Sequence, residues 1–160
     1  MTTAYDTIED GIVTQLTAED SPFATVLAYG AQLSDAELAD ELEKLLTKAP
    51  AALVVFEGGR TNEGYGGALM EEAIFAVLVV AGGRSRTASL RGDKAAVGVY
   101  TLIDYCRAQL HNVPGISGIV LPLLWQGSRR LALPGNRLTV AAYVCTFKAR
   151  IERSDGPLAA

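Results

Sequence analysis

Apolar and polar residues follow distinct patterns along the second half of the chain. An unbroken apolar run from Ala73 to Ala81 predicts a strand. Apolar residues on one helical face then predict an amphipathic helix over Asp93–Leu110, with Asp93 as its N-cap. Alternation over Leu138–Glu152 predicts a long strand with one buried and one exposed face. These segments contain few reactive side chains, so the pattern indicates assembly more clearly than catalysis.

The first half of the chain predicts two helices and two strands. Apolar residues at helical spacing predict a helix over Ala4–Leu16, and strand-forming residues fill Phe23–Tyr29. A capping-box pattern before a stripe of leucines predicts a second helix over Asp35–Lys48. A short apolar run predicts a buried strand over Ala51–Phe56.

Three segments lack this regularity. Glu57–Met70 contains five glycines and predicts a long, mobile loop. Ile119–Leu133 predicts a hairpin interrupted by a polar break over Gln126–Arg130, and residues 154–160 predict a flexible C-terminal tail. The element order therefore predicts one α+β (mixed α/β) domain over residues 1–153, with one sheet of about five to six strands flanked by two to three helices.

Composition and charge narrow the range of functions. The chain has 160 residues, of which 49% are hydrophobic and 20% charged, which suits one domain with a sizeable core. Its apolar runs are shorter than the about 18 to 20 residues that a membrane helix needs, so we expect a soluble protein made in the cytoplasm, with no membrane contact. A net charge of -4 argues against direct nucleic-acid recognition, although a local basic patch remains open.

Candidate catalytic and metal-ligating residues are few. His111 is the only histidine, and it lies five positions from Cys106, which belongs to the apolar helix face. We therefore expect Cys106 and Cys145 to be buried, reduced thiols and His111 to end a helix. One histidine and two separated cysteines do not supply a zinc site. The sequence thus predicts no catalytic residues, no metal, no cofactor and no enzymatic activity.

The glycine-rich segment offers an alternative. Gly58–Gly67 follows a strand, as a phosphate-binding loop does, but it lacks both the ending of a P-loop and the spacing of a dinucleotide-binding loop. A hairpin tip or subunit-contact loop is the favoured interpretation. The alternative function is a small enzyme or ligand-binding domain that uses the loop 57–70.

Exposed arginines and aromatic residues are candidates for partner contact. Arg84, Arg86 and Arg91 follow a strand closely in a chain that is acidic overall, which makes contact with phosphates or an acidic protein surface as plausible as a solvated turn. Arg60 and Tyr65 lie in the glycine-rich segment and join them as interface candidates. Trp125 follows an apolar run and is expected in the core rather than at an interface.

Five segments together resemble the Mu-like phage tail terminator family. The resemblance lies in YGAQLSDAEL (29–38), AALVVFEGG (51–59), FAVLVVAGGRSR (75–86), GVYTLIDYCRAQL (98–110) and LTVAAYVCTFKARIER (138–153). It covers nearly the whole chain. The segment Glu57–Met70 departs from the family pattern, and no binding residue is carried over from the family.

This resemblance implies a structural protein of the virion, located in the tail or neck and assembled in the host cytoplasm. It implies a homo-oligomer that stacks as a six-fold ring on the last layer of the tail tube and stops its growth. The implied partners are the tail tube protein and a neck or head-completion protein, with DNA able to pass through the ring. Arg60, Tyr65, Arg84, Arg86 and Arg91 are then expected at a subunit or tube interface.

Overall fold

The protein is organised around one mixed sheet of five strands. The computed structural model describes residues 2–29, 40, 44–63, 69–132 and 139–153. Helices with complete bounds are α1 (Ala4–Leu16), α2 (Arg86–Arg91) and α3 (Val99–Leu110), and the strands are β1 (Thr25–Tyr29), β2 (Ala51–Glu63), β3 (Leu69–Gly82), β4 (Leu121–Arg130) and β5 (Val140–Arg153). The α+β fold class predicted from the sequence is confirmed.

The strand order is β1-β2-β3-β5-β4. β1 runs parallel to β2, and all other neighbouring pairs are antiparallel. β3 is the central strand, and it pairs along its full length with β5 and from Leu69 to Val80 with β2. β1 and β4 therefore form the two edges of the sheet.

The first face of the sheet is covered by α1 and α3. A capping box starts α1, in which Thr3 accepts the Asp6 N–H and Asp6 accepts the Thr3 N–H. The apolar stripes of both helices pack on inward-facing strand residues; the fully buried members include Ile8, Ile12, Leu16, Leu102, Leu110, Phe75, Val77 and Phe147. Each such side chain contributes roughly 1.5–3 kcal/mol by leaving water, so this layer dominates the stability of the fold.

The second face is buried only in part. A smaller cluster covers it, with Leu45 packed against Leu53, Leu78 and Val144. This cover explains why the run from Ala73 to Ala81 is apolar throughout, since most of these residues lie in a layer that is buried on both faces. Ala142 and Val144 are buried here as well, so the predicted exposure of one face of the last strand is wrong for its first half.

The predicted loop Glu57–Met70 is wrong where the structure describes it. Residues 57–63 continue β2, and residues 69 and 70 begin β3, so these residues extend the antiparallel pairing of the two strands. A bulge at Glu57 accommodates the extra residue beside Gly58, whose φ is +119°. A Cβ on Gly59 would lie 2.7 Å from the Glu72 carbonyl oxygen, so glycine here permits close strand pairing.

Two further element boundaries differ from prediction. α3 begins at Val99 with Gly98 as its N-cap, because Asp93 instead accepts the N–H groups of Ala95 and Ala96 in a turn. The predicted break at Gln126–Arg130 is part of β4, which stays paired with β5 through a register irregularity beside residue 126.

The remaining predictions either agree closely with the structure or concern residues outside the described ranges. α1 has the predicted bounds, and β1 begins two residues later than predicted. In the second predicted helix, residues 40 and 44–46 are helical. Residues 35–39 and 41–43 of this helix lie outside the described ranges, as do residues 154–160. Within those ranges, no helix is long and apolar enough to cross a membrane.

Candidate functional site

Three of the candidate arginines lie on or beside the short helix α2. Ser85 caps this helix by accepting the Ala88 N–H at 3.1 Å, and Ala88 and Ser89 are buried beneath it. Arg84 precedes the helix and Arg86 and Arg91 are its first and last residues, all three exposed. The predicted arginine turn is therefore mostly a helix, held against the end of β3.

The sheet register brings two more arginines to this end of the molecule. Arg129 and Arg130 are the last residues of β4 and are exposed. Arg130 pairs with Tyr143, which pairs in turn with Val79 near the end of β3. We refer to the five exposed residues Arg84, Arg86, Arg91, Arg129 and Arg130 as the arginine patch.

The arginine patch carries positive charge that the described residues do not neutralise. None of its members forms an ion pair within the described part of the chain. The next two carboxylates after Arg91 in the sequence are engaged elsewhere: Asp93 accepts two backbone N–H groups, and Asp104 pairs with Arg107 at 2.9 Å. Exposed guanidinium groups that form no ion pair with the described residues are suited to bind an acidic partner.

Arg60 lies far from the arginine patch. Its guanidinium is 3.1 Å from Glu72, which is directly opposite it on β3. Ten residues of β3 separate Glu72 from Gly82, a distance of about 33 Å along an extended strand. The structure therefore does not bring Arg60 together with the other candidate arginines, and Tyr65 lies outside the described residues.

Glu72 is the centre of a separate charged cluster on the second face. Lys148 and Arg150 approach its carboxylate at 3.8 and 4.0 Å, from the strand on the other side. The hydrogen bond from Arg60 lowers the pKa of Glu72, and the nearby cations add to the effect. One carboxylate is thus shared by three cations, with Arg60 the most exposed of them.

This cluster lies beside a shallow groove of about 590 Å³. The lining residues are Glu57, Gly58, Gly59, Arg60, Glu72, Ile74, Gln126 and Lys148. Residues 57–60 form its floor as a paired strand rather than as a phosphate-binding loop. The groove is a charged surface suited to protein contact.

The reactive side chains serve packing and backbone hydrogen bonding. His111 ends α3, as predicted, and its Nδ1 accepts the Trp125 N–H at 3.0 Å. Cys106 and Cys145 are buried free thiols, as predicted. The hydrogen bond with Cys145 raises the pKa of Cys106, and burial raises it further. Within the described ranges, no cluster of three metal-binding side chains occurs.

Trp125 is half-buried and packs its ring edge-to-face against Phe147, with centroids 5.2 Å apart. This contact is with the core, as predicted. Arg129 and Arg130, by contrast, were missed by sequence reasoning. Their adjacency in an acidic chain was a signal, but only the register of β4 places them at the end of the sheet from which α2 follows.

A comparison with protein families matches residues 5–152 to the family described as Bacteriophage Mu, Gp37. The match begins in α1 and ends one residue before the end of β5. A comparison with curated proteins finds no significant match.

Proposed function

The chain belongs to the Bacteriophage Mu Gp37 family of phage proteins, and we propose that it acts as the tail terminator. In this proposal, copies of the chain form a six-fold ring on the last layer of the tail tube and stop its growth. The ring then presents a surface to the neck or head-completion protein. The observation that carries the proposal is the family match, which includes every strand of the sheet.

The chemistry of the described residues supports a structural rather than an enzymatic role. The single histidine accepts a backbone N–H, and both thiols are buried in the core. Exposed charge is instead concentrated on surfaces that suit protein partners, namely the arginine patch and the cluster around Glu72. Gly58 and Gly59, two of the five glycines in the segment considered for ligand binding, lie in a paired strand, which favours the structural role over that alternative.

The proposal also assigns places to the candidate interface residues. Arg84, Arg86 and Arg91 contact a neighbouring subunit or the tube. Arg60, which lies toward the opposite end of the sheet, and Tyr65 also contact a subunit or the tube. The protein acts in the tail or neck of the virion after assembly in the host cytoplasm. DNA passes through the ring without sequence-specific contacts.

The test is complementation of a phage that lacks the gene for this chain. Electron microscopy of the lysate measures tail length and the presence of a ring at the tail end. We expect tails of uncontrolled length without the protein and uniform, head-joined tails with it. The purified protein should also form particles of six times the 16.9 kDa chain mass when assembled. Normal tail length in the phage that lacks the gene would overturn the proposal.

A further inference from the structure

Charge is divided unevenly along the chain. Residues 1–43 contain ten Asp and Glu residues and no Lys or Arg. Residues 44–160 contain eight Asp and Glu residues and all fourteen Lys and Arg. The net charge of -4 therefore combines a strongly acidic first quarter with a basic remainder, which favours contact between opposite surfaces of separate copies.

The described part of the acidic quarter reaches the same end of the sheet as the arginine patch. Glu19 and Asp20 are exposed and lie between α1 and β1. The Ala24 N–H donates to the Pro50 carbonyl at 2.8 Å, and β1 then pairs with the start of β2. Because the start of β2 pairs with the end of β3, the two acidic residues lie at the end where α2 begins.

The acidic residues and the last two members of the arginine patch nevertheless lie toward opposite edges. Glu19 and Asp20 lead into β1, which is one edge strand, whereas Arg129 and Arg130 end β4, which is the other. Four strand spacings separate these edges, about 19 Å in all. The two surfaces are too far apart for ion pairs within one chain, but they can meet between successive copies.

We propose that Glu19 and Asp20 of one copy bind Arg129 and Arg130, at the β4 edge of the arginine patch, on the next copy in a head-to-tail contact. This inference rests on the proposed ring, because a contact between two different surfaces repeats around a closed ring. Tyr100 adjoins the patch as an aromatic anchor: it is 45% exposed and packs edge-to-face on Tyr143, the partner of Arg130. Arginine and tyrosine are both enriched at protein interfaces.

The charges set orientation and salt dependence more than total affinity. A single exposed ion pair contributes little to affinity, so the contact depends on several pairs acting together with apolar burial. At physiological ionic strength, exposed charges are screened beyond about 8 Å. Assembly should therefore weaken as salt rises, while the stability of the separate subunit changes less.

The test uses charge exchange between the two surfaces. The acid-reversed variant is Glu19→Lys with Asp20→Lys, and the base-reversed variant is Arg129→Glu with Arg130→Glu. A third variant carries all four changes, so that every contact between Glu19 or Asp20 and Arg129 or Arg130 in a ring has its charges exchanged. Asp104→Lys and Arg107→Glu are matched controls, since both residues are exposed and lie outside the two surfaces.

Each reversed variant should have the melting temperature of the wild type. The amount of assembled particles should nevertheless fall by at least about tenfold, because like charges now face each other. The quadruple variant should regain assembly, both as particles in solution and as capped tails in the complemented phage. Failure of the quadruple variant to regain assembly, or normal assembly of either reversed variant, would overturn the inference. Rings of normal mass that do not cap tails would assign the arginine patch to the tube instead. Tail length with the wild-type chain tests the proposed function separately.

Discussion

Glu9 accepts a hydrogen bond from the Phe56 backbone N–H at 3.1 Å, just beyond the last residue of β2 that pairs with β1. A buried N–H without an acceptor costs about 1–3 kcal/mol. The Glu9 carboxyl therefore supplies the acceptor for Phe56 at the point where β1 no longer pairs with β2. Glu9 is 4% exposed, and burial raises its pKa from 4.5 to about 7. The neighbouring carboxylates Asp6 and Asp10 act in the same direction.

Glu9→Gln should stabilise the protein at alkaline pH. Between about pH 4.5 and 7 the folded state keeps the Glu9 proton while the unfolded state loses it, so the stability of the wild type falls as pH rises through this window. Glutamine keeps an oxygen acceptor for Phe56 without charge. We expect Glu9→Gln to raise the free energy of unfolding by on the order of 2–3 kcal/mol more at pH 8 than at pH 4. Urea unfolding of both proteins at both pH values measures this difference. An equal difference at the two pH values would contradict this account.

Phe147→Asp and Cys145→Asp should each prevent stable folding. Both side chains are fully buried on the first face, and an unpaired carboxylate there carries a large desolvation cost in addition to the lost packing. We expect a loss of at least about 3–5 kcal/mol, seen as aggregation or the absence of a cooperative melting transition. Lys148→Ala is the matched control, and it should change stability by less than about 1 kcal/mol. Equal effects of the changes at 147 and 148 would show that the strand register is wrong.

Glu72→Gln should lower the melting temperature, because Arg60, Lys148 and Arg150 then lose the carboxylate that they share. The pKa of Glu72 is lowered in the folded state, so its contribution is present above its ordinary value of 4.5 and is lost as pH falls below that value. The difference in melting temperature should therefore be largest near pH 7 and should shrink in acid. Glu152→Gln, at an exposed carboxylate of β5, should show a smaller difference at pH 7.

The two cysteines should resist thiol reagents in the folded protein. Cys106 is buried, and the neighbouring Cys145 together with burial raises its pKa, so little thiolate forms at neutral pH. We expect slow labelling by a thiol-specific reagent at pH 8 and rapid labelling of both residues in denaturant. Rapid labelling of the native chain would mean that α3 separates readily from β5.

Changing Arg84, Arg86 and Arg91 together to Glu should stop assembly before it affects folding. The three side chains are exposed, so their reversal leaves the buried residues of α2 in place. We expect an unchanged melting temperature and a loss of ring formation or tail capping, because attraction to an acidic surface becomes repulsion. Arg107→Glu serves as a single-site control. Normal assembly of the triple variant would make these arginines ordinary solvated residues.

The sequence predicted best those elements whose type and bounds follow from the spacing of their own apolar residues. α1 has its predicted bounds because isoleucine and leucine at helical spacing meet the sheet. The start of α3 was missed because Asp93 suits both a helix cap and a turn, and the turn is what it forms. Local preference cannot choose between two such uses of one side chain.

Contacts between distant strands account for the other differences. Glycines in residues 57–63 predict a loop locally, but pairing with β3 compensates for their conformational entropy. The same holds for the candidate site, since only the pairing of β4 with β5 brings Arg129 and Arg130 to the end of the sheet from which α2 follows. Register between strands far apart in sequence is not encoded in any short window of residues.

The central position of β3 has a mechanical consequence. Its hydrogen bonds to β2 and β5 run across the strand direction on both sides. A pull along β3 therefore loads many of these bonds in shear at the same moment, whereas a pull that peels β1 from its edge breaks bonds one after another. The subunit should resist force best along the paired length of β2, β3 and β5 and yield first at the β1 edge.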